Sequence, residues 1–396
     1  MTEEAQHALA GVKVLDLSRI LAGPTASQLL GDLGADVVKV ERPGAGDDTR
    51  RWGPPFVADT EGNPTSESAY YLSANRNKRS IAIDLSSEEG QELIGRLLAQ
   101  ADVLIENYKL GTLDRYGLGF DELHERFPGL VYCSITGFGH TGPYAHRPGY
   151  DFLIQGMGGI MSLSGEPEGQ PMKTGVGIAD VMTGMYATTG ILAALRHRDR
   201  TGKGQHIDLS LFDSQIAWLV NAGTSYLQSR QVPQRLGNGH PQIVPYQVFT
   251  AADGPMILAV GNDAQFERFC KVADLDHLPS DERFATNPAR IEHRELLCTT
   301  IDERIAERSR QDWLSALEEA GVPCGPVNNL EDVFADPHVQ SRGAEVRIPC
   351  DWSESGDLSL LANPLHMSLT PPDYKRVPPR LDEHHEEILA DWLGEK

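Results

Sequence analysis

The stretch Gly175-Val-Gly-Ile-Ala-Asp180-Val-Met-Thr183-Gly184-Met-Tyr-Ala-Thr-Thr-Gly190-Ile-Leu-Ala-Ala-Leu195 sets one carboxylate between a glycine-punctuated turn and a long apolar helix. Two chemistries are open to Asp180. As an N-cap it would accept the free N–H groups of the first helical turn, with the helix dipole favouring its anion. As a nucleophile it would use the space left by Gly175, Gly177 and Gly184, because small residues let a large ligand approach the backbone and an accessible carboxylate oxygen can attack an acyl group.

A second set of polar groups recurs where strands end. Val12–Leu17, Asp36–Glu41, Ser80–Leu85, Asp102–Glu106 and Leu130–Ile135 read as short apolar strands, separated by helical stretches such as Pro24–Leu33 and the segment to Ala101 that opens with Ser86-Ser-Glu-Glu89. Behind them come Ser18–Pro24, Arg42–Arg51, Asn107–Gly111 and Thr136–Pro143, while Asn75-Arg-Asn-Lys-Arg79 leads into a strand. Glycine turns and cations at such places suit a phosphate-bearing ligand, although any one Arg or Lys is more often simply solvated. Alternating strands and helices imply an α/β fold built on a parallel sheet with right-handed crossovers, in which ligands bind beyond the carboxyl ends of the strands.

The helix after Asp180 is expected to run from Thr183 to about Arg198, followed by the turn Arg200–Gln205 and the strand His206–Leu211. The expected organisation is a large domain beginning with residues 1–211, a linker helix over 212–231, a smaller α+β domain over 232–325, and a return to the large domain over 326–396. The strands Tyr246–Thr250 and Met256–Val260 and a mostly helical stretch from Asn262 to Gly321 make up the smaller part. Gly321-Val-Pro-Cys-Gly-Pro326 closes it, and Leu358–Leu361 and a helix from Asp382 form the tail.

Composition narrows the classes of function. With 40% hydrophobic and 23% charged residues the chain has the make-up of an ordinary globular protein, and its 35 Lys+Arg against 57 Asp+Glu give a formal net charge of -22. That balance argues against nucleic acid and anionic membrane as partners, while leaving room for a local basic pocket. The opening Met-Thr-Glu-Glu-Ala has no leader character and no run of 18 apolar residues occurs, so a cytoplasmic protein is expected. Five scattered cysteines without a C-x-x-C pair indicate neither a disulfide framework nor a zinc site.

Several motifs fail. Gly175-x-Gly177-x-x-Asp180 is one residue short of a dinucleotide fingerprint and lacks a good preceding strand, and Gly202-Lys203-Gly204 lacks the upstream glycine and the Ser/Thr of a P-loop. Neither H-E-x-x-H nor G-x-S-x-G occurs. Glu383-His-His-Glu-Glu387 reads as a solvated helix face rather than a metal site.

Val14-Leu-Asp-Leu…Ala22-Gly-Pro24, Leu33-Gly-Ala-Asp-Val-Val-Lys-Val-Glu-Arg-Pro43, Asn77-Lys-Arg-Ser80, Gly149-Tyr-Asp151 and Gly190–Leu195…Thr201-Gly-Lys-Gly-Gln205 together resemble the family III CoA-transferases, a group that includes formyl-CoA transferase, carnitine CoA-transferase and α-methylacyl-CoA racemase. The resemblance runs over nearly the whole chain. It implies a Rossmann-like large domain and a small domain in an interlocked homodimer, acyl-CoA and carboxylic acid as substrates, and no metal or permanently bound cofactor. It also implies that Asp180 is the nucleophile, passing through aspartyl anhydride and aspartyl-CoA thioester intermediates, with Asp151 as an acidic group beside the reaction centre. Arg42, Lys78 and Arg115 would then contact CoA phosphates, and Arg19, Ile20, Ala22, Asn107 and Tyr108 would line the nucleotide and pantetheine path. The racemase branch carries a histidine directly before the acid, and Tyr150 stands there instead. Gly237-Asn-Gly-His-Pro-Gln-Ile-Val-Pro-Tyr-Gln247 is similar to members that use succinyl-CoA and a dicarboxylate such as glutarate. A racemase and a non-catalytic acyl-CoA binder, in which Asp180 is only a cap, remain the alternatives.

Overall fold

The computed structural model describes residues 7–395; residues 1–6, on which the reading of the N-terminus rests, and residue 396 lie outside this description. The chain divides into two compact units, one made of the residues up to Ile160, Lys173–Arg230 and the chain from Gln340 onward, the other of Met161–Met172 and Gln231–Val339. The segment 232–325 thus lies within the second unit, which also takes in 161–172 and the stretch to Val339. That unit carries a three-stranded antiparallel sheet of Tyr246–Ala251, Gly254–Ala259 and Cys324–Pro326, with a core around Trp313, Phe249, Phe266 and Phe269.

In chain order the first unit contains β1 (Lys13–Asp16), α1 (Ala22–Asp32), β2 (Asp36–Glu41), β3 (Phe56–Ala58), β4 (Pro64–Ser68), α2 (Ala69–Leu72), β5 (Lys78–Ala82), α3 (Glu88–Leu98), β6 (Val103–Glu106), α4 (Phe120–Arg126), β7 (Val131–Thr136), α5 (Asp151–Met157), α6 (Ile178–Thr201), β8 (His206–Ser210), α7 (Leu211–Ala217) and α8 (Val220–Ser229). Six of the strands form one parallel sheet in the order β5-β2-β1-β6-β7-β8. The expected α/β architecture is therefore present. Runs such as Val-Leu in β1 and Val-Leu-Ile in β6 are buried on both faces, as a parallel sheet covered by helices requires. One face packs on α1 and α6 through Ala26, Leu30, Ala187 and Ile191, and the other on α3, α4 and the terminal helix His385–Leu393 through Ile94, Leu97, Leu123 and Trp392.

Two helix boundaries differ from expectation. The segment 212–231 is not one helix but two, α7 and α8, interrupted at Trp218–Leu219 with Val220 at φ +40°. Helix α6 starts at Ile178, five residues before Thr183, and runs until Gly202 (φ +73°) ends it in the left-handed conformation. It is long and apolar enough to span a membrane, but nine of its residues, including Ala179, Ala187 and Ile191, are buried in this unit. Gly184 does not open space for a ligand. A Cβ there would lie 2.7 Å from the Ala22 carbonyl oxygen and 2.8 Å from Thr25 Cβ, so this glycine allows α6 to cross close over α1.

Under the C-terminal ends of β1 and β2 lies a wholly buried ionic network. Lys78 Nζ sits 3.2 Å from Asp16 and donates to the Pro24 carbonyl (3.0 Å) and Asn75 Oδ1 (2.9 Å), while Lys39 Nζ pairs with Asp47 at 2.9 Å and donates to the Ser18 carbonyl at 2.9 Å. Burial works against the Asp16 carboxylate, but Lys78 and Lys39 hold it below its ordinary range; burial lowers Lys78 itself to about 8. The expectation that Lys78 contacts a CoA phosphate is thereby corrected. Its ammonium is fully enclosed, with all three donors committed to Asp16, Pro24 and Asn75.

Removing one partner of such a pair strands a buried charge, so Lys78→Met should cost about 3–5 kcal/mol in urea unfolding, whereas Arg42→Ala on the surface should stay within about 0.5 kcal/mol. An unchanged urea midpoint for Lys78→Met would show that the pair does not hold the sheet.

Candidate active site

The strand order runs outward in both directions from β1 and β6, and a crevice opens between the loops that follow them. This is the place where open parallel sheets bind ligands. The cleft is lined by Arg19, Ile20 and Ala22 after β1, Asn107 and Tyr108 after β6, and Asp180 from α6. These six were expected from the sequence, and the structure brings them together.

Each lining loop has a local cause. Asn107 Oδ1 accepts the Arg19 N–H at 2.9 Å and its Nδ2 donates to the Arg19 carbonyl at 2.7 Å, clamping the two loops to each other. Ile20 stands at φ +73°, an outlier for a β-branched side chain, and its N–H donates to both Asp47 carboxylate oxygens at 3.2 Å. The buried Lys39–Asp47 pair therefore holds a strained residue at the cleft wall. Arg19 pairs with Asp48 at 2.8 Å and lies over the Tyr108 ring, 5.6 Å from its centroid.

Asp180 is not the cap of α6. Gly177 occupies the N-cap position without a side-chain bond, and Asp180 is the third helical residue. The cap comes from the first residue of α5: Asp151 Oδ1 accepts the N–H groups of Ala179 (2.8 Å) and Asp180 (3.4 Å). The Asp180 carboxylate has no hydrogen-bond partner among the described residues. Burial, reinforced by the neighbouring Asp151 charge, pushes it up to about 7. Two carboxylates thus meet at the first turn of α6 with separate tasks, Asp151 of α5 spent on the backbone and Asp180 left open to the cleft.

The remaining expected residues lie elsewhere. Arg42 lines an adjoining cavity shared with Arg19 and Tyr108, approaches Asp48 at 3.9 Å, and is largely solvated. Arg115 is exposed on the turn Asp114–Tyr116 and does not line the cleft. The structure does not bring Arg42, Lys78 and Arg115 together as one set, since Lys78 is enclosed beneath the sheet ends. Sequence reasoning missed Arg147, which lines the cleft and lies over the Tyr144 ring at 4.6 Å. It also missed Tyr70 of α2, whose phenol is raised by burial and by the charges of Asp180 and Asp151. No spacing pointed to either.

Residues 9–385 match the family described as CoA-transferase family III. The chain is 49% identical over 383 residues to succinate–glutarate CoA-transferase of Agrobacterium fabrum, covering 97% of this chain and 95% of that one. It is 43% identical over 385 residues to the human succinyl-CoA:glutarate CoA-transferase, covering 97% and 86%. The crystal structure of a CAIB/BAIF family protein from Brucella suis superposes with a TM-score of 0.87 at 49% identity, over 98% of this chain and all of that one. The open carboxylate at the sheet crevice and a match that spans both units lead to the same conclusion: this chain belongs to CoA-transferase family III and is a CoA-transferase.

Proposed function

We propose that the protein moves CoA from succinyl-CoA to a small dicarboxylate such as glutarate, with Asp180 as the covalent carrier. The observation that carries this reading is the Asp180 carboxylate itself, raised to about 7, without a hydrogen-bond partner among the described residues, and facing a cleft at the ends of β1 and β6. The printed names of the Agrobacterium and human relatives support the choice of donor and acceptor.

An Asp180 oxygen attacks the thioester carbonyl, the C–S bond breaks, and CoA leaves as thiolate while a mixed anhydride forms. The thiolate then attacks the aspartyl carbonyl, releasing succinate and leaving an aspartyl-CoA thioester. The acceptor carboxylate attacks that thioester, expelling CoA thiolate and forming a second anhydride. Attack of the thiolate on the acceptor's acyl carbon yields the new acyl-CoA and returns the Asp180 carboxylate. An ordinary Asp, near 3.9, is about 4–5 pK units less basic than a thiolate near 8.5. Raising Asp180 narrows that gap, so that neither covalent intermediate becomes a deep trap.

Arg19, Arg42 and Tyr108 offer two cations and a ring to the nucleotide portion of CoA, while Ile20, Ala22 and Asn107 border the pantetheine arm. Arg115, on its exposed turn, is a further proposed phosphate contact. A homodimer is part of the proposal. Ile216, Trp218, Val220, Tyr226 and Leu227 expose apolar surface on and between α7 and α8, more than an isolated chain needs in that region.

Two outcomes test this reading. Asp180→Asn removes the nucleophile at nearly constant shape, so it should abolish transfer in a mass-spectrometric screen of succinyl-, acetyl- and formyl-CoA against mono- and dicarboxylates; retention of more than a few per cent of the parental rate, about 2 kcal/mol of barrier, with deamidation excluded, would overturn the mechanism. Stability carries a sign as well. Because the folded carboxyl lies above its unfolded value of about 3.9, the folded protein holds that proton more tightly and loses stability as pH rises from about 4 to 7. Asp180→Asn should therefore melt higher than the parent above pH 7, and the difference should shrink toward zero by about pH 4. A constant difference across that range would contradict the raised carboxyl.

A further inference from the structure

Asp151 is held from its other side. Gln155 lies four residues later on α5, on the same helix face, and is wholly buried. Its Nε2 donates to Asp151 Oδ2 at 2.7 Å, and its Oε1 accepts the Thr174 backbone N–H at 3.0 Å and the Thr174 hydroxyl at 3.3 Å. One amide thus joins the carboxylate that caps α6 to the Thr174–Gly177 turn that delivers α6. With Oδ1 bonded to α6 and Oδ2 bonded to Gln155, the Asp151 carboxylate has no free rotation.

We propose that Gln155 is a positioning residue for the transfer step: by bridging Asp151 and Thr174 it locks the cap and the glycine turn in the arrangement that leaves the Asp180 oxygens open to the cleft. The inference rests on the reading of Asp180 as carrier. Gln155 touches no substrate and acts through Asp151.

Among the described residues, Asp151 of α5 and Tyr70 of α2 interact electrostatically with Asp180, and Arg19, Tyr108, Lys109, His146, Arg147 and Tyr150 are the other titratable groups lining its cleft; of these, Gln155 bonds only to Asp151. Replacing Gln155 by Leu removes the donor that supports the Asp151 anion. Asp151 then turns away and frees α6 N–H groups for Asp180, and the ionisation of Asp180 moves to lower pH. Gln155→Glu keeps the shape but likewise loses the Nε2 donor and sets two carboxyls against each other, which displaces Asp151 from the cap and moves the ionisation of Asp180 in the same direction.

The test is the pH profile of kcat and KM for the full-length enzyme with succinyl-CoA and glutarate, run beside a direct titration of Asp180 by carboxyl-13C-aspartate NMR referenced to Asp180→Asn. In Gln155→Leu, kcat should fall by about 10- to 100-fold with the KM for succinyl-CoA within about twofold, because orientation rather than binding is lost. The acid limb and the Asp180 titration should move down in both variants. If both variants titrate Asp180 where the parent does, Gln155 is merely structural and the proposal is overturned. If the Leu variant does not fold, the isosteric Glu variant decides alone. The NMR titration needs no turnover, so an active Asp180→Asn would overturn the carrier reading, whereas an inactive Asp180→Asn with unshifted titrations in both Gln155 variants would overturn the Gln155 proposal alone.

Discussion

The carboxylate of Asp151 supplies to α6 what the helix cannot supply for itself. A helix that begins with Gly177-Ile-Ala-Asp180 has no capping side chain at its N-cap, and its first N–H groups would otherwise need water or a ligand. By bonding the N–H groups of Ala179 and Asp180 from α5, Asp151 satisfies the backbone and leaves the Asp180 side chain without that duty. The same anion, fixed close by, opposes ionisation of Asp180 and adds to the effect of burial. One hydrogen-bonded carboxylate thereby caps the start of α6, leaves the Asp180 oxygens to the cleft and adds to the rise in their basicity that burial sets.

The opposite wall of the cleft relies on charges placed out of reach of solvent. Ile20 would not hold φ +73° without anchors, and these are Asp47 on its N–H and the Asn107 clamp on the adjoining Arg19. Asp47 is in turn kept ionised by Lys39, with burial opposing and the ammonium prevailing. The cations around these loops thus divide into two kinds. Lys78 and Lys39 are internal struts beneath the loops, whereas Arg19 and Arg42 stand at the surface those loops create.

Much of this organisation was legible in the residues. Alternating apolar runs revealed the parallel sheet, and its strand ends pointed to Ser18–Pro24 and Asn107–Gly111 because open α/β sheets bind ligands there, while the family resemblance singled out Arg19, Ile20, Ala22, Asn107 and Tyr108 within them. What stayed hidden depended on tertiary partners. A glycine at position 177 does not announce a helix start, because its cap is a side chain 26 residues earlier in the chain. Gly184 reads equally as room for a ligand or as a helix crossing, and only the approach of Ala22 and Thr25 decides. Lys78 cannot be told from a surface cation until Asp16 is seen facing it. Gln155 stayed hidden as well, since its i, i+4 relation to Asp151 appears only once α5 is seen.

The most direct test of the account is to follow oxygen through Asp180. With glutarate labelled with 18O in its carboxylates and unlabelled succinyl-CoA, the acceptor oxygen becomes the bridge of the second anhydride, and attack of thiolate on the glutaryl carbonyl leaves that oxygen on the aspartate. Peptide mass analysis after a single turnover should therefore show one 18O in the peptide containing Asp180, rising toward two as further turnovers exchange its second oxygen into succinate, and none in the peptide containing Asp151. An Asp180 peptide of unchanged mass after demonstrated transfer to glutarate would contradict a covalent role for this carboxylate.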